Sequence, residues 1–271
     1  YYRLVPSLQF VDRGPGQNNI VIRGITTNAE NGVATSAIYF DEVDVTGNAS
    51  TPNLHMFDLE RVEVLRGPPG TLYGSGAMGG AVRVITKQAQ TDRWQAKLDF
   101  TGPYTEAAEE SFALNTALNI PLIEDRLALR VVAYQLEQGG FIDNINPAIG
   151  ENNVGDISTT GGRLSAVWNV NDNLSIKPAI IYQKKESEGL PEDEQKLGSY
   201  EQNRAFKEGL TNEFVVYSLT VDYTIGDWAT LTSVTSYLDR EQSNVYEEPF
   251  FFFPLDSGGA PVGYYTFDEY S

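Results

Sequence analysis

From residue 94 onward, hydrophobic and polar residues alternate with a period of two over long stretches. The clearest case is 215–225, where Val215, Leu219 and Ile225 share one face and Ser218 and Asp222 share the other. Such alternation is typical of a β-strand with one apolar and one polar face. It predicts seven strands, at 94–101, 111–120, 127–136, 163–170, 174–183, 215–225 and 228–238, the last of which fits either phase. Most approach the roughly 9–11 residues that cross a bilayer at a tilt.

The connections between these strands alternate between short and long. Tight turns are predicted at 121–125, 171–173 and 226–227, long polar loops at 139–158, 186–212 and 242–271, and a shorter loop at 102–110. Short turns on one side and long loops on the other are typical of an outer-membrane barrel. A soluble β-sandwich is the competing interpretation, but its connections need not alternate in this way. The pattern therefore favours a transmembrane β-barrel.

Seven strands are too few to form the whole of such a barrel. A bacterial single-chain barrel has an even number of strands and no free edge. Seven strands also cannot close around the rest of the chain, residues 1–90. We therefore expect residues 91–271 to be the N-terminal part of a larger antiparallel barrel. Plugged outer-membrane barrels have about 22 strands, and we expect a similar number in the full protein.

Residues 1–90 follow a different pattern, in which short strands are separated by glycine- and asparagine-rich turns. Strands are predicted at 8–11, 19–22, 37–40, 61–65 and 81–86, together with one helical turn at 55–60. This part of the chain is therefore predicted to be a small α+β domain, distinct from the long strands that follow it.

A segment crowded with glycine and proline lies between the strands predicted at 61–65 and 81–86. Its predicted turn residues are Gly67, Pro68, Gly70, Gly74, Gly79 and Gly80. Proline fixes a turn, and glycine permits a backbone with positive φ. A phosphate-binding loop is the alternative, but the segment lacks the Gly-Lys-Ser/Thr ending, and a strand follows it where a helix would be needed. The segment is therefore interpreted as a set of tight turns.

The amino-acid composition argues against several classes of function. The net charge of −18 leaves no basic stripe for phosphates, so nucleic acid is not expected as a partner. The chain has no cysteine, and its only histidine, His55, cannot form a histidine-rich metal site. No convergent set of acids and bases is evident. We therefore expect no metal site, no cofactor and no enzymatic activity.

Two clusters leave alternatives open. Asp41, Glu42 and Asp44 follow a predicted strand, where they could form a solvated turn or a site for calcium or a basic ligand. The long final loop carries clustered aromatic residues between Tyr246 and Phe267. Such a loop suits either a surface that grips a ligand or a girdle at the membrane interface.

The stretch 57–87 resembles the plug domain of a TonB-dependent outer-membrane receptor. The matching residues are DLERVEVLRGP at 58–68, GTLYG at 70–74, GGA at 79–81 and VITK at 84–87, preceded by IRGI at 22–25 and IYFD at 38–41. One departure is Glu42, which stands where the family usually has glycine. The resemblance implies a plug domain at 1–90 inside a barrel that begins at 91, in the outer membrane of a Gram-negative bacterium.

The resemblance also implies a function. Receptors of this family import a scarce ligand with energy from the inner-membrane TonB complex, most often a ferric siderophore or another large nutrient. We expect a coupling box for that complex ahead of Tyr1, and contact of the barrel with outer-membrane lipid and lipopolysaccharide. A passive or structural plugged barrel, such as a channel, an adhesin or an assembly component, is the alternative and would not need the coupling box.

Site residues are assigned to the plug on the same basis. Arg23 and Arg66 each precede a glycine at a strand end, and they are the candidates for a latch that pairs with acids of the barrel wall. Exposed arginines on edge strands are the alternative. The loops 25–33 and 45–53 are expected to form the ligand-binding apex, since ligand contacts often lie beyond strand ends. The candidate ligand-binding residues are Thr26, Thr27, Asn28, Asn31, Asn48, Thr51 and Asn53.

Overall fold

A computed structural model describes most of the chain. The described residues are 5–12, 18–26, 34–46, 52–70, 73, 76–102, 111–194, 196–246 and 265–270. They form seventeen strands in four sheets, and none of the described residues lies in an α-helix. No helix in this part of the chain is long and apolar enough to span a membrane.

Six strands lie in the N-terminal part of the chain. They are β1 (Leu8–Asp12), β2 (Asn18–Ile22), β3 (Ser36–Phe40), β4 (Val43–Asp44), β5 (Leu59–Arg66) and β6 (Gly80–Thr86). β1 and β2 form an antiparallel pair, and the other four form a sheet in the order β4-β3-β6-β5, in which β3 and β6 run parallel. We call these two sheets the N-terminal sheets. All five strands predicted for residues 1–90 are confirmed.

The helical turn predicted at 55–60 is wrong. Residues 52–57 have no regular secondary structure, and β5 begins at Leu59. Asp58, between them, has a φ of +56°, outside the helical region. Contacts between this segment and the second half of the chain, described below, hold it away from a helical conformation.

Glycine is required where β6 begins. Gly80 pairs with Arg66 at the end of β5 and has a φ of +144°. A Cβ atom at this position would overlap the carbonyl oxygen of Leu65. One residue earlier, the Gly79 carbonyl oxygen accepts a hydrogen bond from the amide of Gly67 at 3.0 Å. The two ends of the glycine-rich segment are thereby tied together, and Gly74 within it lies outside the described residues.

The second half of the chain forms an antiparallel sheet of eight strands, which we call the wall sheet. Its strands, in spatial order, are β7 (Gln95–Thr101), β8 (Phe112–Ile123), β9 (Leu127–Gln138), β12 (Asp156–Asn171), β13 (Leu174–Glu188), β15 (Gly209–Ile225), β16 (Ala229–Tyr246) and β17 (Tyr265–Tyr270). The three predicted tight turns are confirmed between β8 and β9, β12 and β13, and β15 and β16.

The wall sheet has eight strands where the alternation predicted seven. The eighth, β17, lies within the stretch predicted as a long loop. β12, β13 and β15 also extend further than predicted toward the long connections. Two of these connections contain a second small sheet, β11 (Glu151–Val154), β10 (Ile142–Asn144) and β14 (Glu201–Gln202), which we call the loop sheet. Apolar alternation is absent from these extensions, so the pattern could not reveal them.

The two faces of the wall sheet differ as predicted. Leu164, Trp168 and Leu219 are exposed on the outer face, which is the face assigned to lipid. β16, which fitted either phase, places Tyr237 on the outer face, because it pairs with the outward-facing Tyr217 and the two rings lie 6.4 Å apart. On the inner face, neighbouring positions such as Arg163 and Val216 are buried.

The inner face of β13, β15 and β16 continues the hydrophobic core of the N-terminal sheets. Buried Ile181, Phe214 and Val216 of the wall belong to the same cluster as buried Val82 and Val84 of β6. Burial of apolar surface contributes about 25 cal/mol per Å². This apolar seam therefore fixes one side of the N-terminal sheets to the wall.

Candidate functional site where the N-terminal sheets meet the wall

An extended segment of the N-terminal part, residues 52–58, runs against the wall sheet beside the apolar seam, and its buried Leu54 belongs to the same hydrophobic cluster. We call it the docking segment. The amide of His55 donates a hydrogen bond to Gln183 Oε1 at 3.0 Å, and Gln183 Nε2 donates to the carbonyl oxygen of Asn53 at 2.8 Å. The buried side chain of Gln183 thus makes the hydrogen bonds that a neighbouring strand would otherwise make with this stretch of backbone. Tyr134 Oη also donates to Gln183 Oε1, at 3.0 Å.

His55 sits in the middle of these contacts. Its Nε2 lies 2.6 Å from Asn115 Oδ1 of β8, and its ring centroid lies 4.5 Å from that of Tyr134. Burial lowers the pKa of His55; the hydrogen bond with Asn115 acts in the opposite direction, and the charge of Lys185 adds to the lowering. The neutral imidazole is therefore favoured, and with the proton on Nε2 it donates to Asn115.

Tyr134 can reach His55 because the neighbouring strand leaves space for its ring. A Cβ atom on Gly161 of β12 would overlap the Tyr134 hydroxyl. Glycine within a strand often marks such a close approach. Gly161 therefore contributes to the docking surface through Tyr134.

Asp58, the last residue of the docking segment, is held by two arginines of the wall. Its carboxylate accepts hydrogen bonds from Arg130 Nε at 2.6 Å and Arg130 Nη2 at 2.5 Å, and from Arg163 Nη2 at 2.6 Å. The Asp58 side chain is 1% exposed, and those of Arg130 and Arg163 are 5% and 4% exposed. A bidentate arginine–carboxylate pair of this kind combines geometric specificity with charge. Asp58 therefore fixes the position of the docking segment along β9 and β12.

Asp41 provides a second carboxylate, which lies near Arg163. It accepts hydrogen bonds from the Thr86 amide at 2.8 Å and from Thr86 Oγ1 at 3.0 Å. Burial raises the pKa of Asp41, whereas the bonds from Thr86 and the charge of Arg163 oppose the rise. The neighbouring acids also have partners, since Glu42 pairs with Arg83 at 2.7 Å. Among the described residues, no group of acids or histidine is arranged to hold a metal ion.

The predicted latch residues Arg23 and Arg66 are both exposed. Neither forms an ion pair with another residue of the described ranges. They do lie in adjoining segments, because Arg23 Nη1 is 3.6 Å from the position a Cβ atom of Gly67 would occupy. Their pairing with barrel acids stays a prediction.

The buried ion pair between the N-terminal part and the wall has the opposite polarity, with the acid on the N-terminal part and the arginines on the wall. Sequence reasoning missed it, although a signal was present. Arg163 alternates with apolar Leu164 in the sequence, and an arginine on an enclosed face needs a carboxylate partner.

Two of the predicted apex residues are described. Thr26 is exposed after the bridge between Ile22 and Ile25. Asn53 lines a cavity of about 200 Å³ between the docking segment and the wall, together with His55, Thr159 and Lys185. Thr27, Asn28, Asn31, Asn48 and Thr51 lie outside the described residues. Their role in ligand binding stays a prediction.

Comparison with known proteins identifies the N-terminal part. Residues 2–81 match the family model of the TonB-dependent receptor plug domain. The chain carries a TonB-dependent receptor plug. The match includes the docking segment and Asp58, and the family resemblance noted in the sequence is confirmed.

The plug and the wall sheet together resemble siderophore receptors. The chain is 31% identical over 173 residues to a probable TonB-dependent siderophore receptor, PirA, of Acinetobacter baumannii, which covers 60% of this chain and 22% of the relative. It is 34% identical over 111 residues to the ferrienterobactin receptor of Escherichia coli K12, covering 40% of this chain and 14% of the relative. The chain therefore spans about a fifth of the length of such relatives.

Solved structures show the same fold. The ferric yersiniabactin uptake receptor FyuA from Yersinia pestis superposes with a TM-score of 0.75 at 20% identity, over 90% of this chain and 38% of that one. The siderophore receptor PirA from Acinetobacter baumannii superposes with a TM-score of 0.62 at 19% identity, over 97% and 40%. The predicted fold class, a plug domain with an antiparallel transmembrane barrel sheet, is confirmed.

Proposed function

We propose that this chain is the plug and first barrel strands of a receptor for TonB-dependent import across the outer membrane of a Gram-negative bacterium. The ligand is a scarce one, a ferric siderophore or a similar large nutrient. The observation that carries the proposal is the docking of the plug on the inner wall through buried Asp58. The names of the relatives, which are siderophore receptors, support the ligand class.

Docking of this kind explains why import would need energy. Separating Asp58 from Arg130 and Arg163 would leave buried charges without partners, which typically costs about 3–5 kcal/mol. The apolar seam adds its own resistance to this separation. We propose that the inner-membrane TonB complex supplies this work by pulling on the plug, and that the receptor binds and transports its ligand without chemical conversion.

The junction between the domains supports a boundary near residue 90. The last plug strand, β6, ends at Thr86, and the first wall strand begins at Gln95. The side chain of Asn119 in β8 fixes the linker between β6 and β7. Its Oδ1 accepts a hydrogen bond from the Gln90 amide, and its Nδ2 donates to the carbonyl oxygens of Gln90 and Arg93, all within 2.8 Å. We propose that residues 91–271 belong to the barrel and that this linker stays in place when the plug moves.

Two sets of plug residues complete the proposal. We propose that the apex loops, residues 25–33 and 45–53, contact the ligand, and the position of Asn53 beside a cavity supports this. Arg23 and Arg66 would form a second latch with acids of barrel strands other than the eight of the wall sheet. The outer face, with exposed Trp168 and Tyr217, would contact lipid and lipopolysaccharide.

Uptake by whole cells tests the proposal. Cells with and without the full-length receptor would be given radiolabelled ferric chelates, sugars and cobalamin, each with and without a protonophore uncoupler. We expect receptor-dependent uptake of a ferric chelate that the uncoupler abolishes. Receptor-dependent uptake that the uncoupler leaves unchanged would instead indicate a passive barrel.

A further inference from the structure

The outer connections of the chain are strongly acidic. The stretches 102–110, 139–158, 186–212 and 242–271 together contain eighteen Asp and Glu but only three Lys and Arg. All three cations, Lys196, Arg204 and Lys207, are in the same stretch. An excess of one charge around a binding entrance raises the local concentration of ligands of the opposite sign and lowers that of like-charged ones.

Part of this charge lines a defined cavity at the loop sheet. The cavity has a volume of about 370 Å³, within the usual range of small-molecule sites. It lies between the loop sheet and the outer end of β13, and four carboxylates line it against one cation. The carboxylates are those of Glu151, Asp156, Glu188 and Glu208, and the cation is Lys207.

Three of these carboxylates are engaged within the protein, and Asp156 Oδ1 accepts a hydrogen bond from the Glu188 amide at 3.3 Å. Glu208 lies 3.5 Å from Nε of buried Arg204 and accepts a hydrogen bond from the Leu190 amide, and Glu151 pairs with Lys207. These contacts hold the two outer connections together and give the cavity its shape. Exposed Glu188, at the end of β13, adds negative charge at the rim.

A buried polar atom also lines the cavity without a partner. Gln202 of β14 is 2% exposed, and its Oε1 accepts no hydrogen bond in the described part of the chain. A buried acceptor without a donor is costly, roughly 1–3 kcal/mol, so its presence points to a donor that a ligand supplies. The carboxylates are too dispersed to hold a metal ion, since no such group is found among the described residues. The chemistry fits an organic cation that donates several hydrogen bonds.

We infer that this cavity binds an ammonium-bearing part of the imported ligand, and that the receptor therefore selects neutral or cationic ferric chelates. The inference rests on the proposed function and narrows its ligand class. Iron(III) bound by three hydroxamates is neutral and becomes cationic when the chelator carries an ammonium group. Iron(III) bound by three catecholates is trianionic, and the acidic loops would repel it.

Matched chelates test the inference on the full-length receptor in isolated outer membranes. The probes are a linear ferric trihydroxamate with a terminal ammonium group, its N-acetylated neutral form and a ferric tris-catecholate. We expect the affinity to fall in that order. We also expect higher salt to weaken binding of the ammonium form more than that of the acetylated form, because salt screens exposed charges.

A matched pair of variants tests whether the preference for the ammonium chelate arises at this cavity. Glu188→Gln removes one charge at the cavity rim. It should weaken binding of the ammonium chelate about two- to fivefold, because this is the range that exposed ion pairs contribute. Binding of the acetylated chelate should not change. Glu186→Gln makes the same charge change two residues earlier, where Glu186 pairs with Lys184 at 2.8 Å outside the cavity. It should leave both affinities unchanged.

The outcomes separate the inference from the proposed function. Tighter binding of the tris-catecholate, or equal binding of the ammonium and acetylated chelates, would overturn the inference. Energy-dependent uptake of that tris-catecholate would still leave the import function standing. Receptor-dependent uptake of none of the ferric chelates, sugars or cobalamin would overturn both.

Discussion

Asp58 links the plug to the barrel wall more directly than any other described residue of the docking segment. Its carboxylate receives three hydrogen bonds from two buried arginines. A pair of this kind contributes little net stability relative to apolar packing, but removal of one partner leaves uncompensated buried charge. Asp58 has a φ of +56° and lies immediately before the start of β5 at Leu59. The residue therefore acts as a release point for the docking segment.

Removal of the Asp58 charge should loosen this segment. We expect Asp58→Asn to destabilise docking by about 3–5 kcal/mol, because Arg130 and Arg163 would face each other without a full counter-charge. Hydrogen exchange of the full-length receptor measures this through the amides of His55 and Lys87, which bond to Gln183 Oε1 and to the Asp58 carbonyl oxygen.

Asp92→Asn is the matched control, because exposed Asp92 pairs only with its neighbour Arg93 in the described part of the chain. It should leave exchange unchanged. Equal protection in the Asp58 variant and the wild type would mean that the ion pair does not hold the segment.

His55 should make docking sensitive to acid. Because burial lowers its pKa, docking is favoured above the ordinary histidine pKa of about 6.5 and weakens as the pH falls through the lower pKa of docked His55. We expect exchange of the docking segment to accelerate across that window in the wild type but not in His55→Gln.

The difference between these two proteins isolates His55, since Asp41 is present in both and its raised pKa acts in the opposite sense. If exchange of the docking segment depends on pH in the same way in the wild type and in His55→Gln, His55 does not contribute to the acid sensitivity of docking.

At the scale of single elements, the sequence predicted the strands wherever one face is apolar. Burial alternates over parts of β8, β9, β12, β13 and β15, and Leu164 and Arg163 fall on opposite faces of β12, whereas every residue of β7 is exposed. The loop sheet has no such contrast, because β14 is only Glu201–Gln202 and β11 is ENNV. The docking segment could not be predicted either, since the arginines that hold Asp58 lie 72 and 105 residues further along the chain.

The outer face of β15 can be tested with lysine. Leu219 is exposed on the lipid-facing side near the middle of the predicted bilayer crossing, and Leu219→Lys should destabilise the barrel by about 2–4 kcal/mol. Ser218→Lys places the same charge on the inner face and should cost less. Urea unfolding of the full-length receptor in lipid vesicles compares them, and a larger loss for the Ser218 variant would reverse the two faces.

At the scale of the whole molecule, the plug is held by two unlike contacts. On the side of β8, β9 and β12 they are polar and involve Asn115, Arg130 and Arg163. Along β13, β15 and β16 the contacts are apolar apart from the hydrogen bonds of Gln183, and they include Leu54 of the docking segment. Water can replace polar partners more readily than it can solvate an apolar seam. We therefore expect the polar contacts of the docking segment to be released first when the plug is pulled.

Thiol labelling during transport tests most directly whether release of the docking segment is the step that import drives. The chain has no cysteine, so Leu54→Cys would place a single buried thiol in this segment, and Ser199→Cys would place an exposed control in an outer loop. In energised cells given the imported ferric chelate, a small water-soluble thiol reagent should label Leu54→Cys rapidly. The labelling should be slow without the chelate or with an uncoupler, while Ser199→Cys is labelled in every condition. Labelling of Leu54→Cys at one rate, with or without chelate and energy, would contradict release of the plug during transport.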